Sequence, residues 1–274
     1  MKNNFKLGAV LAVLGILAGI LCLYFIADTY NAVIHTHFDE GSWEESNTVR
    51  IVYAVLGWLG TAAGALSAAV LWGFLNKQNW AWFWGAVAAT ILLLAGFFPM
   101  IPAADSGLAT PTMWVFMLAG IMWFGMLFVG SVSGKVITLT FIAGLAYVLT
   151  FIDGVAPISK FQSTFQLPAE FVENPNTFWN GMYVILQEVS WWGAAAWAMF
   201  IFGVLRKRLW AIPLGIFAGT MSMLAGYPLG LHNALFEVHR FSMFLPAPII
   251  STGLFIYLLL PSTRRMIEAW NASE

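Results

Sequence analysis

Eight long apolar runs, separated by links whose charge alternates in sign, constrain this 274-residue chain more than any motif in it. The runs cover Leu7–Ile26, Val49–Leu75, Trp80–Ile101, Thr112–Gly130, Val136–Asp153, Phe178–Leu205, Trp210–Leu229 and Leu245–Leu260. At a rise of about 1.5 Å per residue, runs of this size suit a hydrocarbon core about 30 Å thick. Lipid offers no hydrogen bonds, so each run must satisfy its own backbone and is expected to be a helix. Only 9% of residues are charged, against about a quarter in soluble domains. The expected class is therefore all-α: a polytopic membrane protein of eight transmembrane helices, integral to a cell membrane.

Charge sets the expected orientation. Lys2, Lys6, Lys77, Lys135, Arg206–Arg208, Arg264 and Arg265 fall on one side of an eight-span layout. Asp39, Glu40, Glu44, Glu45, Asp105, Glu170 and Glu173 fall on the other, with Arg50, Lys160 and Arg240 as cationic exceptions. The positive-inside rule then puts both termini in the cytoplasm. Lys2 and Lys6 precede a run too long for a cleaved signal, so the first span is expected to be retained. The basic links are a few residues long, and the acidic ones longer: Ala27–Thr48, Pro102–Pro111, Gly154–Thr177 and Gly230–Phe244. A net charge of −1 leaves no basic surface for nucleic acid. Cys22 is the single cysteine, so no intrachain disulfide forms.

The chain resembles itself. A shift of 130 residues aligns Tyr53–Phe97 with Tyr183–Tyr227 without a gap, giving 15 identities over 45 positions. The matches include Tyr53/Tyr183, Gly73/Gly203, Lys77/Lys207, Trp80/Trp210 and Gly96/Gly226. A shift of 125 pairs Ala18-Gly19 with Ala143-Gly144 and Asp28 with Asp153. The pattern predicts two four-helix repeats, residues 1–130 and 131–274, in one membrane domain. Four is an even number, so both copies would share one orientation about an axis along the membrane normal.

Glu188 stands out as a carboxylate about 15 Å below the expected outer end of its helix, where an unpaired charge costs several kcal/mol and signals function by default. Its repeat partner is Trp58, and that of the adjacent Gln187 is Gly57. Trp191 and Trp192 follow on the same helix as pocket or core residues. On a helix prolonged past Ile26, Tyr24, Asp28, Asn31 and His35 share one face, a polar stripe running from the outer loop towards the core. Asp28 and Asp153 also read as simple helix ends. All four histidines are expected outside: His35 and His37 in the first outer loop, His232 and His239 in the last. A helical Leu231–Phe241 would bring His232 and His239 onto one face, with Glu237 at its flank. Such a set suits zinc, copper or iron, or haem through two histidines. No lysine lies mid-span for a Schiff base, and no phosphate-binding or nucleophile-elbow motif is present.

Three readings follow. The first is an outward-facing histidine and carboxylate site in a redox or hydrolytic subunit of a membrane complex, with Glu188 and Asp28 handling protons and Gln187, Trp191, Trp192, Tyr24 and Asn31 near the substrate. The second is a small-solute or proton-coupled transporter using Glu188. The third is a non-catalytic scaffold. The partners expected are the lipid bilayer and either membrane subunits or further copies of the chain. The first reading predicts a stoichiometric metal or a Soret band in gently purified protein, lost when His232 and His239 are both changed to Ala. Elemental analysis and an absorption spectrum check it.

Overall fold

The computed structural model describes residues 4–39, 43–166, 177–237 and 239–272, and every regular element among them is a helix. In chain order these are α1 (Phe5–Asp39), α2 (Trp43–Leu75), α3 (Ala81–Phe97), α4 (Met100–Asp105), α5 (Met113–Val129), α6 (Gly134–Gln166), α7 (Thr177–Leu205), α8 (Ala211–His232), α9 (Pro246–Leu259) and α10 (Pro261–Ala272). A π-helical turn, Asn233–Glu237, prolongs α8. Six stretches among the described residues are long and apolar enough to cross a membrane: Phe5–Asp39, Ser46–Leu75, Ala81–Asp105, Gly134–Val155, Ile185–Leu205 and Ala211–Phe236. Taken together, α9 and α10 make a seventh, bent by 76° at their junction. The remaining expected run, Thr112–Gly130, forms α5, whose 17 residues reach about 25 Å.

Two of the expected outer loops are largely helix. The α1 helix runs on to Asp39, and α6 continues past Asp153 to Gln166. Along the prolonged α1, Ile26, Val33 and His37 recur on one face and are buried. Ser46 donates to the Ile34 carbonyl at 3.1 Å and Tyr30 to the Arg50 carbonyl at 3.4 Å. Mean hydropathy falls in this mixed segment, yet one apolar stripe persists at helical spacing.

The helices form two compact units, Met1–Val132 and Ser133–Glu274. In the first, α1 packs on α2, α3 and α5, while α3 packs on α2 and α5. In the second, α6 packs on α7, α8 and α9, while α8 packs on α7 and α9. The order of neighbours is thus the same within each. The α2–α3 and α7–α8 hairpins also close in the same way. Lys77 and Lys207 both adopt positive φ, 55° and 54°. Around them, Lys77 N donates to Phe74 O and Gln78 N to Gly73 O, just as Lys207 N donates to Val204 O and Arg208 N to Gly203 O. These paired bonds form a Schellman cap, which offsets the cost of a left-handed lysine. Gly73 and Gly203 each leave room for the tryptophan that follows the turn, Trp80 and Trp210 respectively.

Packing at small residues differs between the units. A Cβ built on Gly19 would lie 2.5 Å from the Gly64 Cα, backbone against backbone. One on Gly144, its partner in the 125-residue register, would meet nothing within 4 Å. We expect Gly19→Ala to destabilise the protein by about 1–3 kcal/mol through overpacking. Gly144→Ala should stay within about 0.5 kcal/mol of the parent. Thermal unfolding in mild detergent compares the two.

Candidate functional site

Hydroxyls in the helices are mostly satisfied locally. Thr29, Thr61, Ser67, Thr90, Thr140, Thr220 and Thr252 each donate to the carbonyl four residues back. This back-bonding keeps a polar side chain tolerable in an apolar medium, and Thr252 of α9 also shares a 2.8 Å hydrogen bond with the Tyr227 hydroxyl of α8. Against that background one group in the second unit behaves differently. Thr150 of α6 and Ser222 of α8 are both buried and share a hydrogen bond of 3.0 Å across the helix interface. Trp197 of α7, fully buried, donates its indole N–H to the same Ser222 oxygen at 3.1 Å. Three helices therefore converge on one hydroxyl. Gly193, one turn along α7 from Trp197, allows the approach: its Cβ position is 3.3 Å from both the Ser222 nitrogen and hydroxyl.

One turn further along each helix the polar character continues but the hydrogen bonds stop. Asp153 follows Thr150 by three residues, hence on the same face of α6. It is 2% exposed, and its Oδ2 has no hydrogen-bond partner. Ser190 precedes Gly193 by three residues on α7. It is fully buried, and its hydroxyl also has no partner. The two helices are close here, because the Cβ position of Gly154 lies 3.2 Å from the Ser190 Cβ. Beyond this level Leu186, Ala225 and Leu229 form an apolar cluster with Met182, Val189 and Phe244 packed against it. Other unpartnered buried atoms among the described residues belong to hydroxyls or to Asn271, so Asp153 is the one ionisable group in that condition. A buried carboxylate oxygen without a donor is a costly feature that packing alone does not require.

The residues expected from sequence are distributed otherwise. Glu188 is exposed on α7, as is its register partner Trp58 on α2. Counted from Leu205 at about 1.5 Å per residue, Glu188 lies about 25 Å along, near the edge of a 30 Å core. Trp58 sits at the same height from Leu75, a level where tryptophan anchors are common. The carboxylate thus stands on an exposed face of α7. Gln187 is half-buried, and Trp192 is 64% exposed. Trp191 stacks on Phe151 at 6.4 Å and lies against Gly154, so it packs on α6.

On α1 the expected stripe exists but faces outward. Tyr24, Asp28, Asn31 and His35 are all exposed. His37 is buried on the opposite side, as two residues' separation on a helix requires, so His35 and His37 cannot grip one ion from a common face. In the second unit the predicted helix over Leu231–Phe241 is formed as far as Glu237 and not at His239–Phe241. The π-turn ends at Glu237, and His239 takes a positive φ of 50°. Ser242 donates to the Asn233 side chain at 2.7 Å and folds this segment back on α8. His232 packs on Phe236, with ring centroids 5.2 Å apart, while His239 is exposed. The Glu237 side chain and Glu40 lie outside the described residues. Among the described residues no three His, Cys, Asp or Glu side chains form a group able to hold a metal ion.

Asp153 was legible only as a helix end, because the run of apolar residues stops there. The missed signal was polar spacing: Thr150 with Asp153 on α6, and Ser190, Gly193 and Trp197 at i, i+3, i+7 on α7. No protein-family model matches this chain, and no curated protein or solved structure matches it either. The hydrogen-bonded part of the site gives a direct test. Ser222→Ala leaves the Trp197 indole N–H and the Thr150 hydroxyl without their shared partner. It should lower stability by about 1–3 kcal/mol and alter tryptophan emission. Detergent-phase unfolding followed by fluorescence measures both.

Proposed function

We propose that the chain is an eight-span membrane protein built from a duplicated four-helix unit, with both termini cytoplasmic, and that its second unit handles protons or small cations at Asp153. The observation that carries this is the buried Asp153 carboxylate with an oxygen lacking a donor, beside a Ser190 hydroxyl in the same state. An ionisable group inside a membrane helix is functional by default. This one sits where three helices already meet through polar side chains. In this reading α5 and α9 complete the count of eight, since each returns the chain between basic and acidic links. The 15 identities at one register, the shared neighbour order and the matched lysine caps support duplication.

Chemically, an empty ionised Asp153 is unstable where it lies, and two occupants relieve it. A proton on the carboxyl removes the charge and creates a donor that Ser190 can accept. A small cation keeps the charge and takes oxygens from Asp153 and Ser190, the hard ligands that alkali cations prefer. The Ser222 junction ties α6, α7 and α8 together, so a change in occupancy at Asp153 is felt by all three. This makes Asp153, in place of Glu188, the coupling group of a transport protein.

The test uses protons and sodium as probes. The unfolding midpoint of the purified protein is measured across pH, and in sodium chloride against choline chloride. The parent should show a midpoint that moves with one of these, and Asp153→Asn should flatten that response. Glu188→Gln should retain it. Ser190→Ala should weaken a sodium response but leave a proton response in place, which tells the two occupants apart. A response in Asp153→Asn equal to that of the parent would overturn the proposal.

A further inference from the structure

The last helix, α10, turns away from α9 by 76° and differs from every other helix in character. Its sequence, PSTRRMIEAWNA, is amphipathic: Thr263 and Ile267 are buried, while Arg264, Arg265 and Glu268 are exposed. It is fixed to the basic end of α7 by two contacts of Trp270. The indole N–H donates to the Val204 carbonyl at 2.8 Å, and the Lys207 ammonium lies 4.7 Å from the ring centroid. A helix of this kind, bent sharply off a spanning segment, suits the plane of the membrane surface.

Between α10 and the start of α8 runs a groove of about 360 Å³. Ile212, Ile216 and Ile267 give it apolar walls, and Arg264, Glu268 and Asn271 stand among its polar lining. Both polar atoms of the Asn271 amide are shut off from solvent and have no hydrogen-bond partner. The surrounding surface is basic: residues 206–208 and 261–272 together hold Arg206, Lys207, Arg208, Arg264 and Arg265 against the single acidic Glu268. Four to eight cationic residues on an amphipathic helix next to a spanning segment attract anionic lipid. An apolar slot opening under such a rim has the shape of a lipid site. A soluble anion would use the charge and leave the isoleucine walls bare. A partner helix would have no need of the cationic rim.

We propose that this groove holds one anionic phospholipid of the surrounding bilayer, with acyl chain against Ile212, Ile216 and Ile267 and phosphate at Arg264. The lipid would wedge α10 against α8 and so stiffen the basic ends of α7 and α8. The inference uses none of the residues assigned to the Asp153 site and stands or falls separately.

The test is lipid retention. The full chain is placed in nanodiscs of phosphatidylcholine and phosphatidylglycerol in equal parts, then extracted into mild detergent. Native mass spectrometry then counts the lipids that remain bound. One phosphatidylglycerol per chain should be kept in preference to phosphatidylcholine. Arg264→Gln should lower its retention about fivefold, and Ile216→Trp, which fills the slot, should abolish it. Arg265→Gln removes an equal charge outside the groove and should have little effect. Equal losses in Arg264→Gln and Arg265→Gln would reduce the finding to general surface charge and overturn the site. Equal retention of the two lipids, or a co-purifying peptide seated on α10 in place of lipid, would also overturn it. Size-exclusion profiles of both groove variants show whether they fold. Should either misfold, the parent's choice between the two lipids still decides the matter.

Discussion

Nothing in hydrocarbon can replace a missing hydrogen bond, and the rest of this structure follows from that. It forces the backbone into helices, whose own ladders leave nothing exposed. The same constraint then governs side chains. Thr61, Ser67, Thr90, Thr140, Thr220 and Thr252 meet it by bonding to their own helix. Their solution is local and silent. Tyr53 meets it across the first unit, where its buried hydroxyl donates to the Pro99 carbonyl at 2.7 Å, beside the break between α3 and α4. The same carbonyl accepts the Ala103 N–H at 3.4 Å, so Tyr53 takes its second lone pair. A polar atom left unsatisfied in this setting is consequently a strong statement about occupancy.

Packing answers to the same medium. Lipid tails are as apolar as leucine, so helices associate through close fit in place of water exclusion. The contact of Gly19 with Gly64 and that of Gly226 with Pro248 are instances in which the smallest residue brings a backbone or a ring against the next helix. Gly144 has no such contact. The small residue survives in the register while its packing role does not, so identity at a repeat position does not guarantee identity of use.

What the sequence made legible was what hydropathy encodes. All eight apolar runs became helices, and the basic links became tight turns. The helical extensions of α1 and α6 were hidden because residues such as Asp28, Asn31, His35 and His37 lower the mean without breaking the stripe through Ile26 and Val33. Glu188 could be counted along its helix from the sequence, but the exposed face of α7 on which it lies is a tertiary fact. The histidine pairs failed on geometry: HxH on a helix points two ways, and a π-turn followed by a left-handed residue separates His232 from His239. Asp153 was visible as a residue but invisible as a site, since burial by α7 and α8 is a tertiary fact that periodicity in α6 does not contain.

The two units, compared at the two registers, differ in polarity, and the polar seam lies in the second. In the 130-residue register Ser222 corresponds to Leu92, Trp197 to Ser67 and Ser190 to Gly60. In the 125-residue register Thr150 corresponds to Phe25 and Asp153 to Asp28. Leu92 is wholly buried and apolar, Ser67 bonds back to Ala63, and Gly60 lies against Cys22. Asp28 is exposed, where its charge costs little. Every counterpart is thus apolar, self-satisfied or hydrated, and the first unit has no interhelical polar junction at these positions. A drift towards mere tolerance of polar residues would have scattered them or turned them back on their own helices. Instead five positions on three helices are polar together in one copy, and the one that can carry charge is the one left without a donor. That concentration of polar positions in one unit is the ground for proposing a charged occupant at Asp153.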